Sequence, residues 1–123
     1  MPADELQPLK KAVDGLTYPS ESDEPFEAFV WKPAGAPSAR DAVVAHGGKD
    51  RAIAQVAVEQ FFSQLDDTDD AKRYRALQKT LQSTLADLAI FRVGEGEVRV
   101  DVYLVGKTHA GNWAGLHTVS IET

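Results

Sequence analysis

The chain has 123 residues, 43% of them apolar, no cysteine and a formal net charge of −6. That is enough apolar material for one domain with a core of its own, and too much for a disordered tail. The absence of cysteine excludes disulfides, thiol catalysis and a cysteine-held zinc or iron–sulfur site; the acidity opposes binding to a phosphate backbone and favours approach to a basic partner. The opening Met1-Pro2-Ala3-Asp4-Glu5-Leu6 lacks the basic and apolar regions of a signal peptide, and no apolar stretch is long enough to cross a bilayer. The expectation is a soluble protein of a reducing, cytoplasmic compartment.

Residues 4–15 read as a short helix, with Leu6, Leu9 and Val13 on one face and Gly15 as the left-handed stop. Residues 26–31 read as a strand ended by Pro33. Residues 39–46 suit a helix stopped by Gly47 and Gly48. Over 53–58 an apolar alternation gives way to the helical look of Glu59-Gln60-Phe61-Phe62, and the two readings stay open. The clearest helix carries Tyr74, Leu77, Leu81, Leu85 and Leu88 as one stripe, with Asp66, Asp67, Thr68, Asp69 and Asp70 at its start as caps. Residues 90–93, a Gly94-Glu95-Gly96 turn and the alternating 98–105 predict a hairpin. Residues 106–115 read as a glycine-rich loop, and 116–121 as a last strand with His117, Val119 and Ile121 on one face. Helices followed by consecutive strands predict an α+β domain with a mainly antiparallel sheet.

The sequence shows no catalytic constellation. His46, His109 and His117 lack ligand spacing, and no serine sits in a nucleophile elbow. The run 66–70 lacks the glycine and the closing glutamate of a calcium loop. The glycines of 106–115 match no phosphate-binding fingerprint; they suit a hairpin connection, with Asn112 and Trp113 at its tip able to touch a partner. More informative is Ser20-Glu21-Ser22-Asp23-Glu24-Pro25-Phe26-Glu27, which holds four carboxylates within seven residues. Pro25 restricts Glu24 to extended conformations, and Phe26 anchors the next strand in the core. A carboxylate on a stiff turn loses little entropy on pairing with an arginine.

Two blocks carry a resemblance. Asp14-Gly15-Leu16, followed by the acidic run and Ala28-Phe29-Val30-Trp31, is similar to the N-terminal signature of the nuclease A inhibitor family. Asp101-Val102-Tyr103-Leu104-Val105-Gly106-Lys107-Thr108, Ala110-Gly111-Asn112, Ala114-Gly115 and the final Glu122-Thr123 are similar to its C-terminal signature. The resemblance implies a single nuclease-inhibitor-like domain over 1–123. It implies an α-β-α sandwich laid out like the plant pathogenesis-related and cysteine-rich secretory proteins, without their disulfides. It also implies a tight complex with a sugar-non-specific DNA/RNA endonuclease that carries a catalytic Mg²⁺ in a ββα-metal fold. The family's active-site glutamate and C-terminal threonine match Glu21 and Thr123. The chain departs from the family around 66–72, which is shorter and lacks an Asp-Trp pair.

These readings together predict an inhibitor with no catalytic residue, cofactor or metal of its own, binding neither nucleic acid nor membrane. It would touch a Mg²⁺-dependent nuclease through Glu21, Ser22, Asp23, Glu24, Asn112, Trp113, Glu122 and Thr123, with Thr123 at the partner's metal. Two rivals stand beside it: a regulatory adaptor of the same fold that no longer targets a nuclease, and a small hydrolase or ligand-binding enzyme.

Overall fold

A computed structural model describes residues 7–18, 24–31, 38–48, 51–66, 68, 70–108 and 111–121. Helix α1 (Gln7–Ala12) buries Leu9 and, just past its end, Val13; Gly15, at φ +75°, supplies the expected left-handed turn. Two short strands come next, β1 (Thr17–Tyr18) and β2 (Glu24–Pro25), then β3 (Glu27–Trp31). Ser38 caps α2 (Ala39–Val43), its hydroxyl accepting from the Asp41 amide, and the helix widens into a π-helical turn over Val44–Gly48. The ambiguous stretch resolves as strand β4 (Ile53–Val56) followed by helix α3 (Val58–Ser63).

Helix α4 (Ala71–Thr84) buries Tyr74, Leu77 and Leu81 along its stripe; a fully buried leucine contributes about 1.5–3 kcal/mol. The stripe stops short of its expected length. Leu85 is already extended, and Leu88 belongs to β5 (Ala86–Val93), where it packs on the same core from the sheet side. The Thr80 and Ser83 hydroxyls donate to carbonyls of the preceding turn, a local competition that weakens helices. Asp87, at φ +54°, turns the chain into the strand, next to a register shift between Ala86 and Ala89. The expected aspartate caps are also corrected. Asp70, at the N-cap, makes no side-chain capping bond; Asp66 pairs with Arg75; and the Thr68 hydroxyl donates to the Leu65 carbonyl. Asp67 and Asp69 lie outside the described residues.

Strand β6 (Arg99–Lys107) returns from the expected Gly94 turn, and β7 (Trp113–Ile121) completes a five-stranded antiparallel sheet of order β3-β7-β6-β5-β4. The glycine-rich loop is shorter than expected because two of its glycines are strand residues. A Cβ on Gly106 would stand 2.6 Å from the Leu85 Cβ, and one on Gly115 1.8 Å from the Leu104 carbonyl oxygen. They are sites of close backbone approach rather than turn residues.

The alternation of each strand sends its two sets of side chains to different layers. Ile90, Val102, Leu104, Ala114 and Leu116 face α1, α3 and α4 in one core. Phe91, Val93, Val105 and Trp113 meet Ala39, Ala42 and Val43 of α2 in a second. Helices therefore cover both faces of the sheet, an α+β arrangement in three layers.

Candidate functional site

Tyr18 pairs with Glu24 and Thr17 with Pro25, so β1 and β2 form a two-stranded ribbon whose connection is the stretch 19–23. Glu21, Ser22 and Asp23 lie in that connection, outside the described residues. Aromatic packing fixes the ribbon to the core. The Tyr18 ring stacks on Phe61 at 5.6 Å and meets the edge of Phe26 at 6.2 Å, and the Tyr74 hydroxyl donates to the Thr17 carbonyl. The buried Thr118 hydroxyl donates to the Pro25 carbonyl at 3.0 Å and reaches the Glu24 carbonyl at 3.4 Å. Thr118 lies on β7, whose last described residue is Ile121. Glu122 and Thr123 come after it, outside the described residues. The described stems of both expected contact segments thus lie side by side. Between them is a shallow cleft of about 180 Å³, bordered by Glu24, Glu27, Arg99, His117 and Val119.

The other two expected contacts are elsewhere. Asn112 is half-buried and hydrogen-bonds Thr108 through both its amide and its carbonyl. Trp113 begins β7 and is 4% exposed, packed in the second core with the Lys107 ammonium 5.3 Å from its ring centre. The expectation of an exposed tip fails because pairing with Lys107 and Trp31 draws Trp113 into the sheet. Eight residue steps separate it from Ile121, roughly 27 Å along an antiparallel strand. Asn112 and Trp113 therefore do not share a patch with the converging stems.

Beside the cleft is a polar cluster missed in the sequence. Asp101 is 6% exposed, yet accepts from Arg51 Nη1 at 2.6 Å and Arg99 Nη2 at 3.3 Å, and lies 2.8 Å from His117 Nε2. Burial alone would raise the Asp101 carboxyl; the hydrogen bonds from Arg51 and His117 and the charges of His117 and Arg99 outweigh it and hold the group below the usual carboxylate range. Arg51 is raised in turn, chiefly by its bond to Asp101. Burial, then the Asp101 charge, raises the Tyr103 hydroxyl, and its ring lies 4.8 Å from that of His117. The sequence clue was the polar face of β6, Arg99-Asp101-Tyr103, but only the register with His117 and the fold around Arg51 bring the cluster together. The cluster ties the loop before β4 to the start of β6 and the middle of β7. Among the described residues, no serine or threonine hydroxyl hydrogen-bonds His117.

His46 stacks on Trp31 at 4.5 Å, and His109 lies outside the described residues. Among the described residues no three acidic or histidine side chains are grouped to hold a metal ion, and no helix is long and apolar enough to cross a membrane.

A family profile described as nuclease A inhibitor-like protein matches residues 3–123. The chain belongs to the nuclease A inhibitor-like family. The match spans the β1–β2 ribbon, the sheet and the final residues. No curated protein matches the sequence at a significant level. Membership in an inhibitor-like family points to a nuclease as the partner in general and to a protein that acts by binding.

Proposed function

We propose that this chain inhibits a Mg²⁺-dependent, sugar-non-specific endonuclease by filling its active site with carboxylates from the 19–23 connection and from Glu122-Thr123. The observation that carries the reading is the pairing of stems: Glu24–Pro25 is hydrogen-bonded to Thr118, three residues before Ile121. Three peptide units from Glu24 to Glu21 span at most roughly 11 Å, and two from Ile121 to Thr123 roughly 7 Å, so both segments have the reach to enter one cleft. The layered fold with helices on both sides of the sheet accords with the pathogenesis-related layout that the resemblance implies.

The chemistry is set by the needs of such a nuclease. It grips phosphates with cationic side chains and a metal. Glu21 occupies an arginine that would otherwise hold phosphate, a charge-assisted bond with two-point geometry. Glu122 and Thr123 offer hard oxygen donors of the kind Mg²⁺ and its bound waters accept. Ser22, Asp23 and Glu24 extend the negative surface, and the net charge of −6 accelerates encounter with a basic cleft. The aromatic anchoring of the ribbon lowers the ordering cost at the moment of binding. Asn112 and Trp113 have no part in this surface.

A supercoiled plasmid incubated with a Mg²⁺-dependent non-specific nuclease, with and without an equimolar amount of this protein, tests the reading. Cleavage stops if the proposal holds. Undiminished cleavage across a panel of ββα-metal nucleases would leave the adaptor reading in its place.

A further inference from the structure

We infer that the outward side of α4 is a second docking surface, one that takes an acidic helical segment of a protein partner. In a chain of net charge −6, α4 carries Lys72, Arg73, Arg75 and Lys79 and no acidic residue. Two of these cations already have structural work. Arg73 donates to the Ala12 and Asp14 carbonyls, closing the C-terminal end of α1. Arg75 forms a two-point pair with Asp66, one arm of it at 2.9 Å. Lys72 and Lys79 are exposed and make no ion pair or hydrogen bond among the described residues.

Lys72, Arg75 and Lys79 line a shallow groove of about 420 Å³ together with Asp66, Ala71 and Ala76. Lys72, Arg75 and Lys79 are three and four residues apart and so share one face, with Lys72 and Lys79 roughly 10 Å apart along the axis. Glutamates seven residues apart on a facing helix have that same separation. The short alanine side chains let a second helix approach within the roughly 8–10 Å of ordinary helix packing, and the lysine stems can cover its flanks. The Asp66 carboxylate is paired with Arg75, so Lys72 and Lys79 on either side of Arg75 are the cations left for a partner. A nucleic acid fits less well. The row holds three cations, one already neutralised by Asp66, in an acidic protein, whereas phosphate-backbone affinity grows with the number of phosphates neutralised. This surface includes no residue of the β2 and β7 stems, and its test needs no nuclease.

The probe is a 15-residue alanine-rich helical peptide with glutamates three, four and seven residues apart on one face, titrated into the full chain by NMR at low and high salt. The expected result is shifts centred on α4, weakening with salt, and a loss of about tenfold in affinity for the Lys72→Glu, Lys79→Glu double variant. A peptide with lysines at the glutamate positions should bind that double variant and not the parent protein. Thermal melting of the double variant checks its folding; both positions are exposed, so its midpoint should hold. No binding by the glutamate peptide, equal binding to parent and double variant, or tighter binding of a 15-nucleotide oligo-dT or of phosphatidylserine vesicles to α4 would overturn the inference.

Discussion

At its Trp113 end, β7 is enclosed by apolar side chains: Trp113 packs with Val105, Phe91 and the inner face of α2, and Gly115 has no room for a methyl group. At its Ile121 end, the neighbours are Glu24, Glu27 and the Arg99 guanidinium, whose side chain is 63% exposed. One strand therefore serves the core at one end and a charged rim at the other. An aromatic at a loop tip and a run of acids both look like contact residues in a sequence. The difference is that sheet pairing draws the first inward, while the ribbon hydrogen-bonded to Thr118 holds the stem of the second at the rim.

If the contrast is right, damage at the two ends separates into two kinds. Trp113→Ala should cost about 3–5 kcal/mol of stability and lower the melting temperature by more than about 10 °C. Its folded fraction should inhibit as the parent does. Weakened inhibition at unchanged stability would move Trp113 back into the contact surface. Glu21→Ala should do the reverse, weakening the nuclease complex by about 2–5 kcal/mol with stability changed by less than about 0.5 kcal/mol; calorimetry and thermal melting read the two quantities.

Asp101→Ala removes a buried carboxylate from its partners Arg51, Arg99 and His117. It should cost about 2–4 kcal/mol, below the full range for a buried pair because Arg51 and Arg99 reach solvent. The pH dependence has a definite sign. The folded-state pKa of Asp101 is depressed, so its contribution is complete above the ordinary carboxylate value of about 3.9 and is lost as pH falls through the lower folded value. The parent should lose this part of its stability on acidification, and Asp101→Ala should show a shallower acid decline by denaturant titration. The smallest expected effect is that of Thr118→Val, about 1 kcal/mol of stability, with inhibition reduced several-fold because the Glu24–Pro25 stem loses its tie to β7.

Much of the layering was legible in the sequence. The periods of α1, α4 and β6 announced the elements, and Phe26 beside Pro25 announced the buried anchor of the ribbon's stem. Three things were not. The end of α4 was hidden because Leu88 continues a helical spacing by coincidence, from a strand that happens to pack on the same core. Gly106 and Gly115 look like loop glycines because composition does not distinguish a turn from a close approach of two backbones. The Asp101 cluster draws residues from positions 51, 99, 101 and 117, and only sheet register and the loop before β4 unite them. Within the candidate site, the residue types of the acidic run were readable, but the adjacency of its stem to the end of β7 is a product of topology.

The decisive measurement is a calorimetric cycle on the nuclease complex, comparing the parent with Glu21→Ala, with a chain shortened by Thr123, and with both changes together. Each single change should weaken binding by at least about tenfold while the melting temperature holds. Binding unaltered by either change, at a nuclease the parent inhibits, would contradict the claim that these two segments jointly occupy its active site.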